Sequence, residues 1–136
     1  MELRSEGGCF VCGEKNPKGL HVDFRVDREQ KKIRSSYGFT ETFQGYEGII
    51  HGGFLSLLLD EAMVKLAYEL DLPAVTGEIT VRFPSSLYTG EKVHLHGSIT
   101  RVDRRIVLAE AHAEKDDGTV VAEARARLFR KKELKR

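Results

Sequence analysis

The chain has 136 residues, with 22 basic and 21 acidic side chains and a formal charge of +1, which is the size of one compact domain. This near balance of charge argues against binding of nucleic acid through a general positive field, because that mode needs a basic excess. No stretch approaches the roughly 18 apolar residues of a membrane span, and the opening residues lack the apolar segment of a signal peptide. We therefore expect a single domain over residues 1–136, cytoplasmic, with no nucleic-acid or membrane partner.

The two cysteines of the chain, Cys9 and Cys12, form a CxxC motif inside an N-terminal loop over residues 1–19. A zinc site needs about four ligands, and no second CxxC follows. A redox pair usually begins a helix, whereas Gly13 and Pro17 indicate a loop here. Reduced thiols in a tight turn are the favoured interpretation, and a metal shared between subunits stays open. No metal and no cofactor is predicted.

Apolar and polar residues alternate over 20–26 and 33–39, which predicts a hairpin of two strands. A glycine-rich loop over 41–53 follows, and strong helix formers without proline predict one helix from Phe54 to Leu70. Alternation then predicts four more strands, over 75–83, 93–99, 107–113 and 120–128, before a charged tail at 131–136. The order indicates an α+β domain, in which an antiparallel sheet of about six strands curls around one long helix.

The predicted helix has one broad apolar stripe and an opposite polar face. Glu61, Lys65, Tyr68 and Glu69 lie on the polar face, which we expect to be solvated. Phe54, Leu57 and Leu58 look too apolar for a surface, so we expect them to meet another subunit. Asp60 flanks the apolar stripe at mid-helix, where aspartate is a poor helix former. Such a carboxylate is either paired, for example across an interface, or used in chemistry.

His51, Gly52 and Gly53 directly precede this helix. Backbone N–H groups at a helix start have no intrahelical acceptor, and glycine lets an outside group come close. These amides could hold a developing oxyanion. An ordinary tight turn, with His51 as a hydrogen-bonded structural residue, is the alternative interpretation.

Four segments in order, CFVCGEKNPKGL, FQGYEGIIHGG, LLDEAM and GEITVRFPSSLYTGE, resemble the hot-dog-fold thioesterases. The closest resemblance is to their phenylacetate-degradation (PaaI-like) branch, within the 4-hydroxybenzoyl-CoA thioesterase superfamily. The resemblance implies the hot-dog fold, assembly as a homodimer or a dimer of dimers, and hydrolysis of acyl-CoA thioesters at sites between protomers.

Carried over to this sequence, the resemblance gives Asp60 the role of general base or nucleophile. Gly52 or Gly53 becomes the backbone donor that polarises the thioester carbonyl, facing Asp60 of the partner subunit. His51 lies beside the carbonyl or orients the loop.

Three further residues are substrate-binding candidates. Ser85 falls where some members of the family place a hydroxyl that positions water. Several members carry an asparagine where this chain has Gly45, so the neighbouring Gln44 is a candidate for that polar contact. Arg82 is one of several basic residues that could bind coenzyme A phosphates, which arginine recognises well.

The remaining histidines have simpler explanations in the sequence. His94 and His96 share a strand face at a spacing that can ligate metal, but two solvent-facing histidines are favoured. His112 is expected to pair with Arg125 and Arg127. The alternative to a thioesterase is a hot-dog protein that binds acyl-CoA without hydrolysing it, as a sensor or carrier. A dehydratase on the same scaffold is disfavoured, because its proline-rich histidine motif is absent.

Overall fold

The computed structural model describes residue 3 and residues 6–131 of the chain. Its elements in chain order are β1 Arg25–Asp27, β2 Lys32–Gly38, a 3-10 turn at Glu41–Phe43, α1 Gly52–Glu69, β3 Ala74–Arg82, β4 Lys92–Val102, β5 Ile106–Glu114 and β6 Val120–Arg130. Two strands, one long helix and four strands is the predicted order, so the α+β class is confirmed. The charged tail predicted over 131–136 falls outside the described residues, except for its first residue.

The strands form one six-stranded antiparallel sheet in the order β1-β2-β4-β5-β6-β3. Helix α1 covers one face of this sheet and contacts every strand from β2 to β6. In the described part of the chain, β3 pairs with β6 alone, so it is an edge strand. Its backbone groups on the open side are free to pair with another chain.

The core lies between α1 and the inner sheet face. Along the helix, the apolar stripe and its neighbours are buried: Leu55, Leu58, Leu59, Ala62, Met63, Leu66 and Ala67. Facing them, β5 and β6 contribute small buried residues, Ala109, Ala111, Ala113, Ala122, Ala124 and Ala126. Because alanine side chains are short, the helix can approach the sheet closely.

The first strand is shorter than predicted. Residues 20–26 alternate like a strand, but only Arg25–Asp27 pairs with β2. The backbone N–H of Leu20 donates to Phe10 and that of Val22 donates to Val11, both at 2.8 Å. The N-terminal loop therefore takes the hydrogen bonds that a longer β1 would have given to the sheet.

The expected subunit contact through Leu58 is wrong, because Leu58 is fully buried in the core of its own chain. Phe54 and Leu57 are partly buried against the same core. The sequence pattern could not distinguish these cases, since the sheet wraps further around α1 than a one-sided apolar stripe suggests. No helix among the described residues is long and apolar enough to cross a bilayer.

Candidate active site

Helix α1 begins two residues earlier than predicted, because His51 caps it. The backbone N–H of Gly53 donates to Nδ1 of the His51 ring at 2.9 Å. A side-chain acceptor at this position satisfies one of the amides that every helix start leaves open. With Nδ1 accepting, the neutral ring carries its proton on Nε2.

As a result, the backbone N–H groups of Gly52 and Gly53 differ in whether they have an acceptor. The Gly53 amide is engaged by His51, whereas the Gly52 N–H has no acceptor among the described residues. A Cβ on Gly52 would lie 3.2 Å from the Phe83 ring, so this ring packs closely against the side of Gly52 where any other residue would carry its side chain. Gly52 is therefore the backbone donor that remains available to a ligand.

Two loops hold this end of the helix in place. The Ile50 N–H donates to the carbonyl of Leu87 at 2.8 Å, and Ile49 pairs with Tyr88 as an isolated bridge. The segment before His51 is thus tied to the segment that follows β3. This connection places Phe83 against Gly52.

Gln44 braces the same loop, since its side-chain carbonyl accepts the N–H of Gly48 at 2.9 Å. Its NH₂ group is the part it could offer to a substrate. Ser85 lies exposed in the loop after β3. Arg82 ends β3 with its side chain 77% exposed, and it lies 3.6 Å from Glu123 of β6.

Asp60 lies in the middle of α1 and is half-buried. The hydroxyl of Thr76 on β3 donates to Oδ1 of Asp60 at 2.5 Å. The carboxylate that looked misplaced in the sequence is therefore held by a strand that crosses the helix. Thr76 was missed by the sequence reasoning, because nothing in the alternation of β3 distinguishes this hydroxyl from any other β-branched residue.

The amide of Gly52 and the carboxylate of Asp60 belong to one helix but not to one location. Eight residues separate them, which is about 12 Å along an α-helix axis at its rise of about 1.5 Å per residue. A thioester carbonyl is far smaller than this span. The Gly52 N–H and the Asp60 carboxylate of one chain are therefore too far apart to act on the same carbonyl.

The CxxC loop covers part of the polar face of α1, so the predicted solvation is wrong for Glu61 and Lys65, whereas Tyr68 is exposed as predicted. The Cys9 thiol donates to Oε2 of Glu61 at 3.2 Å, and Nζ of Lys65 lies 3.8 Å from Sγ of Cys12. Burial, together with hydrogen bonding to Glu61, raises the pKa of Cys12 to about 12. Both cysteines are free thiols.

The histidine assignments also change. His112 lies opposite Glu123 of β6, not opposite an arginine, and its ring stacks on that of His96. Glu114 lies 3.1 Å from His96, and Asp116 lies 2.6 Å from His94. Acidic partners that the sequence reasoning did not find therefore reach both histidines of β4 from the paired strand and its turn.

Comparison with solved structures gives the same fold at low identity. A thioesterase superfamily protein, RHA08564, superposes with a TM-score of 0.83 at 22% identity over 90% of this chain, which spans 60% of the length of that protein. The PaaI protein of the E. coli phenylacetic acid degradation operon gives 0.77 at 18% identity, covering 84% of this chain and 82% of its own.

A hypothetical thioesterase from Streptococcus pneumoniae TIGR4, crystallised with coenzyme A, gives a TM-score of 0.75 at 16% identity, covering 82% of this chain and 88% of its own. That protein has also been crystallised as two alanine variants, of an aspartate and of a threonine sixteen residues later. No curated protein matches the chain.

The sequence model of the Thioesterase superfamily matches residues 47–122, a segment that contains the His51 cap, all of α1, Thr76 and the edge strand β3. The chain has the hot-dog fold and belongs to the Thioesterase superfamily.

Proposed function

We propose that this protein hydrolyses an acyl-CoA thioester to the free acid and coenzyme A, with Asp60 as the residue that activates water. The observation that carries the proposal is the half-buried Asp60 carboxylate, held at mid-helix by the Thr76 hydroxyl. Thr76 engages only Oδ1, so Oδ2 has no hydrogen-bond partner among the described residues and is open to a water molecule, as a general base requires.

In the proposed reaction, Asp60 accepts a proton from water while the water oxygen attacks the thioester carbonyl carbon. The carbonyl electron pair moves to its oxygen, where the Gly52 N–H stabilises the negative charge. When that pair returns, the carbon–sulfur bond breaks and the coenzyme A thiolate leaves; the proton held by Asp60 passes to the thiolate or to solvent, which restores the carboxylate. Direct attack by the carboxylate is the variant in which Asp60 is the nucleophile.

The proposed site combines two chains. Because one helix separates Gly52 from Asp60 by about 12 Å, the donor and the base around one carbonyl come from different protomers of a homodimer. The described sheet has two edges, and β3 with nine residues offers a second copy a longer strand to pair with than β1 with three. A dimer of dimers would repeat the same pair of sites.

The similar protein from S. pneumoniae supports these assignments. Its crystallised variants change an aspartate and a threonine separated by sixteen residues, which is also the separation of Asp60 and Thr76. Its complex with coenzyme A supports the same substrate class for this chain.

Exposed aromatic rings occur near the start of α1. Tyr46, Phe83 and Tyr88 are 86%, 48% and 50% exposed and lie on the two loops at the start of α1. Apolar surface of this kind suits an acyl or aryl group, or the partner subunit that completes its pocket. Gln44 and Ser85, on the same loops, are proposed to contact the thioester or the attacking water. Arg82 is proposed to contact a coenzyme A phosphate.

The test is a thiol-release assay over a panel of aliphatic and aromatic acyl-CoA substrates, comparing wild type with Asp60→Asn. We expect Asp60→Asn to lose at least about 100-fold in kcat, because the amide cannot accept the proton. Glu61→Gln is the matched control, since it neutralises the adjacent carboxylate, which faces Cys9 and not Thr76.

Full activity in Asp60→Asn would show that the catalytic assignment is wrong. Binding of acyl-CoA by the wild type without thiol release from any substrate would instead identify a non-catalytic sensor or carrier.

A further inference from the structure

The outer face of the sheet, opposite α1, carries a cluster of two histidines and one glutamate. His96 of β4 lies directly opposite His112 of β5, and their rings stack with centroids 5.0 Å apart and planes 21° from parallel. Glu114 follows two residues after His112, so its side chain leaves the same face of the sheet. The Asp60 carboxylate lies on the helix on the other side of the sheet.

Three donor atoms of this cluster converge. Nε2 of His96 lies 3.1 Å and Nε2 of His112 lies 3.9 Å from the same oxygen, Oε1 of Glu114. Each of the three residues offers one potential ligand atom within 4.8 Å of those of the other two. Ligands bound to zinc at about 2.0–2.2 Å are about 3.0–3.6 Å apart in octahedral or tetrahedral geometry. The nitrogen–oxygen distances of 3.1 and 3.9 Å in the cluster are therefore close to those between atoms that bind the same zinc ion.

Hydrogen bonding alone does not account for this arrangement. His96 is within hydrogen-bonding distance of Glu114, but His112 at 3.9 Å is not. His94, on the same strand face, gives the contrast. Its Nδ1 contacts Ser36 at 2.7 Å and its Nε2 contacts Asp116 at 2.6 Å, so both of its ring nitrogens have partners.

The cluster is also accessible and rigidly supported. The side chains of His96, His112 and Glu114 are 45%, 43% and 29% exposed, so an ion can reach them from solvent. All three stand on paired strands at the middle of the sheet, where the backbone fixes their spacing. The neighbours along this row are Arg34 beside His96 and Glu123 beside His112.

We propose that His96, His112 and Glu114 bind a divalent transition-metal ion, with zinc as the best match. Two imidazoles and one carboxylate are typical ligands of zinc, and water would complete the coordination. The site is separate from the proposed thioesterase centre and does not depend on it.

The experiment is a calorimetric titration of the full-length protein with Zn²⁺, compared among ligand variants. We expect one ion per chain for the wild type. The double variant His96→Ala/His112→Ala should lose at least about tenfold in affinity, because it removes two of three protein ligands. Glu114→Gln, a change of one exposed group that leaves the histidines in place, should weaken binding in the same direction.

Two controls locate the site. His94→Ala removes a histidine from the same strand face and should keep the wild-type affinity. Cys9→Ser/Cys12→Ser should also keep it, although Cys9, Cys12 and Glu61 form the other group of three candidate ligands in the described chain. Unchanged affinity in both His96→Ala/His112→Ala and Glu114→Gln, or loss only in the cysteine variant, would overturn the proposal. So would the absence of Zn²⁺ binding by the wild type.

Discussion

The Thr76 hydroxyl determines which oxygen of Asp60 is available for chemistry. It donates to Oδ1, so Oδ2 is left as the acceptor for a proton from water. A hydrogen bond to a carboxylate also fixes the rotation of the group. Thr76 therefore acts in the proposed mechanism as a positioning residue, because its own contact is with Asp60.

Replacing Thr76 by valine keeps the shape of the side chain and removes this hydrogen bond. We expect kcat for thioester hydrolysis to fall about 10- to 100-fold, in line with about 1.5–3 kcal/mol for a hydrogen bond to a charged group. Thr76→Ser should recover most of the loss, since it keeps the hydroxyl. Equal kcat for wild type and the valine variant would contradict the positioning role.

Cys12 gives a prediction about pH. Its pKa of about 12, raised by burial and by Glu61, leaves the thiol protonated at pH 8.5. Because the thiolate is the nucleophile, we expect Cys12 in the folded protein to react with iodoacetamide much more slowly than in the urea-unfolded chain. Peptide mass spectrometry follows the labelling. Glu61→Gln should speed the reaction of Cys12 with iodoacetamide in the folded protein. Equal labelling rates for Cys12 in the folded and the unfolded protein would refute the burial argument.

Single residues were predictable where chemistry made them conspicuous in the sequence. Asp60 stood out because a mid-helix aspartate beside an apolar stripe is unfavourable, and the glycines because they precede the helix. The difference between Gly52 and Gly53 was not predictable, since it depends on the His51 ring turning toward one amide. Thr76 was hidden for the same reason, because only the packing of β3 across α1 brings it to Asp60.

The start of helix α1 depends on one cap. We expect His51→Ala to cost about 1 kcal/mol of stability, because the Gly53 N–H loses its acceptor. For a domain of this size, this corresponds to a fall in Tm of about 3–5 °C, measured at fixed protein concentration.

His51→Asn separates the two roles of this residue. Asparagine is also a good N-cap, so it should keep the wild-type Tm. If His51→Asn has both wild-type Tm and wild-type activity, His51 orients the loop. If it has wild-type Tm but low activity, the imidazole ring itself contacts the substrate. An unchanged Tm in the alanine variant would show that the ring does not cap the helix.

The pairing of β4 with β5 shows why the outer histidine cluster was missed. A bulge between Ile99 and Arg101 shifts the register by one residue. Without it, the pairing nearest the turn would continue to place His96 opposite Ala113. Apolar alternation on both strands excludes that pairing, since it would put Ala113 on the outer face with His96. The turn and the alternation together leave two registers, with His96 opposite His112 or opposite Glu114, and the bulge selects the first.

At the scale of the whole molecule, the proposed site requires more than one chain. We expect light scattering to give a mass of at least twice the 15.3 kDa of one chain. The reason is the separation of about 12 Å between Gly52 and Asp60 on one helix. A stable monomer with full activity would contradict a shared site.

Complementation between inactive variants tests the same prediction directly. Gly52→Pro removes the proposed donor N–H, and the first helical position tolerates proline. Its ring also displaces the exposed Phe83 ring, which lies 3.2 Å from the position of a Cβ on residue 52. His51, with ψ of 127°, already has the extended backbone that precedes proline. Mixed dimers of Gly52→Pro and Asp60→Asn should regain activity, because one of their two sites has neither change. If the mixed dimers recover no activity, the Gly52 N–H and the Asp60 carboxylate of one site belong to the same chain.

The fold class was predictable because hydrophobic periodicity separates one helix from six strands in the sequence. The strand order and the length of β1 were not, since they depend on hydrogen bonds between distant segments such as Leu20 and Phe10. The extent to which the sheet wraps α1 was also hidden, and this is why the sequence pattern predicts a subunit contact for Leu58.

The order of the sheet also has a consequence for synthesis on the ribosome. Strand β3 follows the helix directly, yet its neighbour is β6, and Ala74 pairs with Arg130. While the chain is growing, Thr76 therefore has no sheet to hold it until the last strand emerges. The contact between Thr76 and Asp60 is among the last to form, so nascent chains stay without the proposed activity until translation has passed β6.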